Sequence, residues 1–137
     1  MHSTVNEKIT KIMLVEDNPV DIDLTKRAFK KQNIDCEIQI ANDGEQACKA
    51  LKEWEAGIGQ PPNIVLLDLK MPRLNGFDVL KVFKNSSTSK HIPIIVLTSS
   101  NEEKDILAAY EHGANSYLLK PIDFGEFSDL FLTGEEK

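Results

Sequence analysis

Of the residue types that most often build metal and nucleophile sites, this 137-residue sequence holds few: two cysteines and three histidines. Cys36 and Cys48 are too few and too far apart for a zinc site, and they suggest no disulfide framework. His2, His91 and His112 fall in a polar leader, before a strand and on a helix, with no serine or cysteine placed to complete a triad. Basic charge is also short. Sixteen Lys and Arg against 22 Asp and Glu leave a formal charge of −6. That balance argues against nucleic acid and anionic membrane surfaces as direct partners, since both call for clustered cations. No apolar stretch approaches transmembrane length, and the polar start from Met1 to Lys11 lacks the apolar core of a signal peptide. The expected compartment is the reducing cytoplasm. A phosphate-binding glycine loop is missing as well, because Gly57-Ile58-Gly59-Gln60-Pro61-Pro62 precedes a strand instead of following one.

What is present is an alternation of strand and helix signals. Residues 1–10 read as a polar lead-in, 11–133 as one domain of common size, and 134–137 as a tail. Lys11–Val15 is a short apolar strand. Asn18 and Pro19 then open a helix, a capping side chain followed by proline at the first helical position. Val20, Leu24, Ala28 and Lys31 recur at helical spacing to about Gln32. Ile34, Cys36, Ile38 and Ile40 alternate with polar residues, as an edge strand with one wetter face would. Asn42-Asp43-Gly44 turns into a second helix with Ala47, Leu51 and Trp54 inward, Trp54 as a partial cap on the core.

Ile64–Leu67 is an unbroken β-branched and leucine run ending on Asp68, which predicts a strand buried on both faces of a parallel sheet. Pro72 and Asn75-Gly76 stop it. Phe77, Leu80 and Phe83 mark a third helix that dies in the polar run 85–89. Pro93–Leu97 is another buried strand, ending on Thr98. Ser100 and Glu103 form a capping box for a fourth helix carrying Ile106, Ala109 and Tyr110, which Gly113 stops. A fifth strand, Asn115–Leu119, runs into Lys120-Pro121, and Asp123 caps a last helix with Phe124, Phe127, Leu130 and Phe131. Five such alternations predict an α/β fold, a doubly wound five-stranded parallel sheet with helices on both faces.

Every strand but the second ends on a group with chemistry to offer: Glu16 and Asp17, then Asp68, Thr98 and Lys120. Parallel strands bring those ends to one crevice, where open α/β sheets gather their ligands. Three carboxylates that close repel one another, and a hard divalent cation such as Mg²⁺ resolves the conflict. Lys120 adds a point charge for a phosphoryl oxygen, and Thr98 a hydroxyl donor. An aspartate nucleophile needs no general base, since its ordinary pKa of about 3.9 leaves it ionised at neutral pH. Phosphoryl transfer asks mostly for positioning and charge neutralisation, which this set supplies.

Taken in order, Val15-Glu16-Asp17-Asn18, Leu67-Asp68-Leu69-Lys70-Met71-Pro72 with Asn75-Gly76, Val96-Leu97-Thr98-Ser99 and Tyr117-Leu118-Leu119-Lys120-Pro121 resemble the response-regulator receiver domain of two-component signalling, over nearly the whole chain. The chain is also similar to the small output-less regulators of bacterial phytochrome kinases, through Asn18-Pro19, Asp21, the Ala28-Phe29 helix, the Pro-rich approach to Asp68, and Pro72-Arg73. The resemblance implies the flavodoxin-like strand order 2-1-3-4-5. It implies that Asp68 takes a phosphoryl group from a partner sensor histidine kinase. Mg²⁺ would be held by Asp17, by Glu16 directly or through water, by Asp68 and by the main-chain carbonyl of Lys70. Thr98 and Lys120 would grip the phosphoryl oxygens, Tyr117 would swing inward when Thr98 moves, and the Lys120–Pro121 bond would be cis. The implied protein is a switch with no external metabolic substrate, not an enzyme in that sense.

Two other readings use the same residues. A Mg²⁺-dependent aspartyl phosphatase usually needs a second acid two residues past its nucleophile, and Lys70 occupies that place. A phosphorylation-independent docking domain would not need the acid, hydroxyl and lysine set. Output is expected through a phosphorylation-dependent homodimer or a downstream relay protein. The expected face is that of the fourth helix, fifth strand and last helix, around Ala109, Tyr110, Tyr117 and Phe127, with Leu130 and Leu132 nearby.

Overall fold

The computed structural model describes residues 11–31, 36–69, 76–98 and 103–119. They form β1 (Lys11–Val15), α1 (Pro19–Lys31), β2 (Glu37–Ala41), α2 (Gly44–Glu55), β3 (Ile64–Asp68), α3 (Gly76–Asn85), β4 (Ile94–Thr98), α4 (Glu103–Glu111) and β5 (Ser116–Leu119). The strands make one parallel sheet in the order β2-β1-β3-β4-β5, the doubly wound order expected. Registers run Val15 beside Ala41 and Leu67, Asp68 beside Leu97, and Thr98 beside Leu119. The C-terminal ends of β1, β3 and β4 therefore stand side by side.

The period of two in each strand splits the core in two. Met13, Val15, Val65, Leu67 and Val96 pack under α2, α3 and Ala109 of α4. Ile12, Leu14, Leu66, Ile95 and Leu97 face the other way, onto Phe29 of α1. All of β3 is buried, as a central parallel strand requires, while β2 at the edge is half-buried. Asp43 caps α2 by accepting the Gln46 N–H at 2.8 Å, and Gln46 returns its own Oε1 to the Asn42 N–H at 2.8 Å. Ser89, in the polar run where α3 ends, is buried, with its hydroxyl donating to the Phe83 carbonyl at 2.7 Å.

The buried side chains of α1 are Thr25 and Phe29, whereas Val20 and Leu24, which mark its helical spacing, are 64% and 49% exposed. Thr25 can be buried because its hydroxyl donates to the Asp21 carbonyl one turn back, at 2.8 Å. Trp54 is not a partial cap. It lies in the core with its ring edge-to-face on Phe83, and Lys11 covers its outer side at 5.9 Å. Phe77 is only partly buried, at the core's margin, against the His112 ring. Ala109 is buried, so it presents no surface, whereas Tyr110 is exposed. Ile34, Gln32, Ser100, Asp123, Phe124, Phe127, Leu130, Phe131 and Leu132 lie outside the described residues.

Candidate functional site

The site begins where β1 runs out. The Glu16 N–H still donates to the Ala41 carbonyl at 2.9 Å, so the ladder holds Glu16 in strand geometry one residue past β1. Its carboxylate is buried, while Asp17 beside it is exposed. The chain then turns into α1 under tight local control. Asn18 Oδ1 accepts from the Val20 N–H at 2.8 Å and the Asp21 N–H at 3.3 Å, the capping role read from Asn18-Pro19. The Asn18 N–H points back to Glu16 Oε2 at 3.3 Å. This second contact was not foreseen from the sequence, since a backbone N–H leaves no mark on residue type. Together they place both acids at the positive end of the α1 dipole, which favours negative charge.

Asp68 arrives from the next strand. It is the last residue of β3 and is buried, with Leu97 as its neighbour in β4. The ladder continues past it, since the Leu69 N–H donates to the Leu97 carbonyl at 3.3 Å. The Gly76 N–H closes the following loop onto the Leu69 carbonyl at 3.0 Å. A Cβ on Gly76 would stand 2.5 Å from Leu69 Cα and 2.6 Å from the Asp68 carbonyl oxygen. Gly76, read from the sequence as a turn residue, is the first residue of α3. Its missing side chain lets that helix press on the backbone that carries Asp68.

Glu16, Asp17 and Asp68 meet, with one carboxylate oxygen from each lying within 4.8 Å of the others. Two oxygens bound to one Mg²⁺ at about 2.0–2.1 Å are separated by roughly 2.9–4.2 Å, so small side-chain rotations, or one bridging water, close the set on a cation. The donor set is all hard oxygen, which suits Mg²⁺ or Mn²⁺ and not a thiolate-seeking ion. Thr98 ends β4 one residue beyond the partner of Asp68, so the backbone brings it to the same edge. Tyr117 is half-buried in β5, with its ring edge-on to Tyr110 at 6.5 Å. Lys70, Lys120, Pro121 and the side chain of Thr98 lie outside what the structure describes.

The sequence matches the family description "Response regulator receiver domain" across residues 12–131. The chain belongs to the response-regulator receiver family. It is 40% identical to the probable methanogenesis regulatory protein FilR2 of Methanothrix harundinacea, over 91% of this chain and 79% of that one. It is equally identical, at 40%, to the response regulator Rcp1 of Synechocystis, over 80% of this chain and 75% of that protein. Among solved structures it resembles the bacteriophytochrome response regulator AtBRR, with a TM-score of 0.78 and 40% identity over 88% and 89% of the two chains. It also resembles the Mn²⁺-bound form of Rcp1, with a TM-score of 0.73 and 34% identity over 93% and 92%. Receivers hold a divalent cation in an acidic pocket, and the acidic cluster of this receiver is Glu16, Asp17 and Asp68.

Proposed function

We propose that this receiver is a phosphorylation-operated switch whose acceptor is Asp68. The observation that carries the reading is the meeting of buried Asp68 with Glu16 and Asp17 at the C-terminal edge of the central strand. A phosphohistidine of a partner sensor kinase is the donor. The phosphorus–nitrogen bond breaks, an Asp68 carboxylate oxygen forms the new bond to phosphorus, and the histidine nitrogen leaves, taking up a proton from solvent. Glu16, Asp17 and Asp68 would hold Mg²⁺, with the Lys70 carbonyl as the further ligand the family resemblance implies, and the ion would neutralise charge on the phosphoryl oxygens. Thr98 and Lys120 grip those oxygens from the neighbouring strand ends, and Tyr117 follows Thr98. The likeness to bacteriophytochrome response regulators supports a phytochrome-type kinase as the donor. Output passes to a second copy of the chain or to a relay protein, and no outside metabolite is turned over.

Intact mass after incubation with Mg²⁺ and a small acyl phosphate tests this. One added phosphoryl group is expected, dependent on Mg²⁺, absent in Asp68→Asn and removed by hydroxylamine. Undiminished uptake by Asp68→Asn would place the acceptor elsewhere.

A further inference from the structure

A shallow groove of about 380 Å³ runs between α2 and α3. Its apolar floor is Cys48, Leu51 and Val82, and Val82 is 41% exposed, well above what a residue facing a packed neighbour shows. Lys52 from α2 and Lys81 from α3 line it from opposite helices. Neither ammonium group forms a hydrogen bond or ion pair among the described residues. One end is closed by the Ser86 hydroxyl donating at 2.6 Å to Glu55, the one carboxylate among the described residues that line the groove.

We propose that this groove docks an acidic amphipathic helix of a partner protein. The occupant follows from shape and charge. A channel between two helices lying side by side on one sheet face accepts a third helix as a ridge, with apolar anchors at i and i+3 or i+4. The chain as a whole carries −6 and repels acidic partners, so two facing cations over an apolar floor select and orient such a partner locally. One aliphatic side chain seats on Leu51 and Val82, and a carboxylate on either side reaches Lys52 and Lys81. The Glu55–Ser86 end lies at the C-termini of both helices, so the groove runs away from the acidic cluster. Docking is therefore independent of phosphorylation.

The test uses the full ¹⁵N-labelled chain and a blocked helical peptide in which two leucines are flanked by glutamates, beside a twin with glutamine at those glutamates. The acidic peptide is expected to shift amides of residues 48–55 and 81–86 saturably. The glutamine twin should bind about tenfold more weakly, as two exposed ion pairs allow. Lys52→Glu with Lys81→Glu should lose the acidic peptide by a similar factor and gain affinity for a lysine-bearing twin. The unperturbed remainder of the spectrum reports that the variant is folded. Asp68→Asn should bind as wild type does. Equal binding of the acidic and glutamine peptides, or of the acidic peptide to wild type and the double variant, would overturn the proposal.

Discussion

Alanine at position 76 sets two effects against each other. A glycine in a helix is worth up to about 1 kcal/mol less than alanine, so the substitution would ordinarily stabilise. The new Cβ, however, meets Leu69 Cα and the Asp68 carbonyl oxygen, which are backbone atoms that cannot rotate away. Overpacking of that kind costs about 1–3 kcal/mol and moves whatever carries the clash. Gly76→Ala is therefore expected to lose stability in urea melts and to bind Mg²⁺ more weakly, because the displaced segment carries Asp68. A variant matching wild type in both would show that the loop yields freely and that Gly76 does not position the acid.

At the scale of elements, the last turn of α3 is tied to the start of two strands by Lys84. Its Nζ donates to the Ile92 carbonyl and to Asn115 Oδ1, both at 3.2 Å, and to the Lys90 carbonyl at 3.4 Å. Asn115 Oδ1 also accepts the Ile94 N–H at 2.9 Å, so one side-chain oxygen joins α3 to the β4–β5 ladder. Gly113, at φ +106°, lies against the lysine stem, and a Cβ there would come to 2.8 Å from Lys84 Cγ. Burial lowers the Lys84 pKa from its ordinary 10.5. Between the lowered folded value and 10.5 the unfolded chain keeps a proton that the folded chain has released, so stability rises with pH. The contribution is complete above the unfolded pKa and is lost as pH falls through the folded one. The stability of wild type relative to Lys84→Met should accordingly increase as pH climbs toward 10.5. Urea melts at a series of alkaline pH values, showing a constant difference, would contradict this.

For the molecule as a whole, a cation held by the acidic cluster would couple binding to folding. An ion held only by the folded state stabilises it by about 2.7 kcal/mol at one hundred times its dissociation constant. Thermal melts should rise with Mg²⁺ concentration on that logarithmic course. Asp17→Ala is expected to cross over. Without metal it relieves repulsion among three carboxylates and melts no lower than wild type, and with Mg²⁺ it loses most of the gain. A variant that responds to Mg²⁺ as wild type does would remove Asp17 from the site.

Much of this was legible in the order of residues. The unbroken run Ile64–Leu67, ending on Asp68, reports a strand buried on both faces, because only a central parallel strand excludes water from every side chain. Asn18-Pro19 and Asp43 announce their helices through local hydrogen bonds that need no distant partner. Acids placed at the ends of β1 and β3 imply convergence as soon as the strands are parallel, and the cluster of Glu16, Asp17 and Asp68 follows. What depended on distant packing was not legible. The buried face of α1 turns on a threonine whose hydroxyl is satisfied within its own helix, which residue polarity does not announce. Trp54 was placed by Phe83 and Lys11, which come from elsewhere in the chain. The role of Gly76 exists only where α3 meets the end of β3, and the α2–α3 groove only where two helices lie side by side. Periodicity and capping are written within a few residues of one another. Close approach between remote backbones and the pairing of surface charges are set by tertiary structure alone.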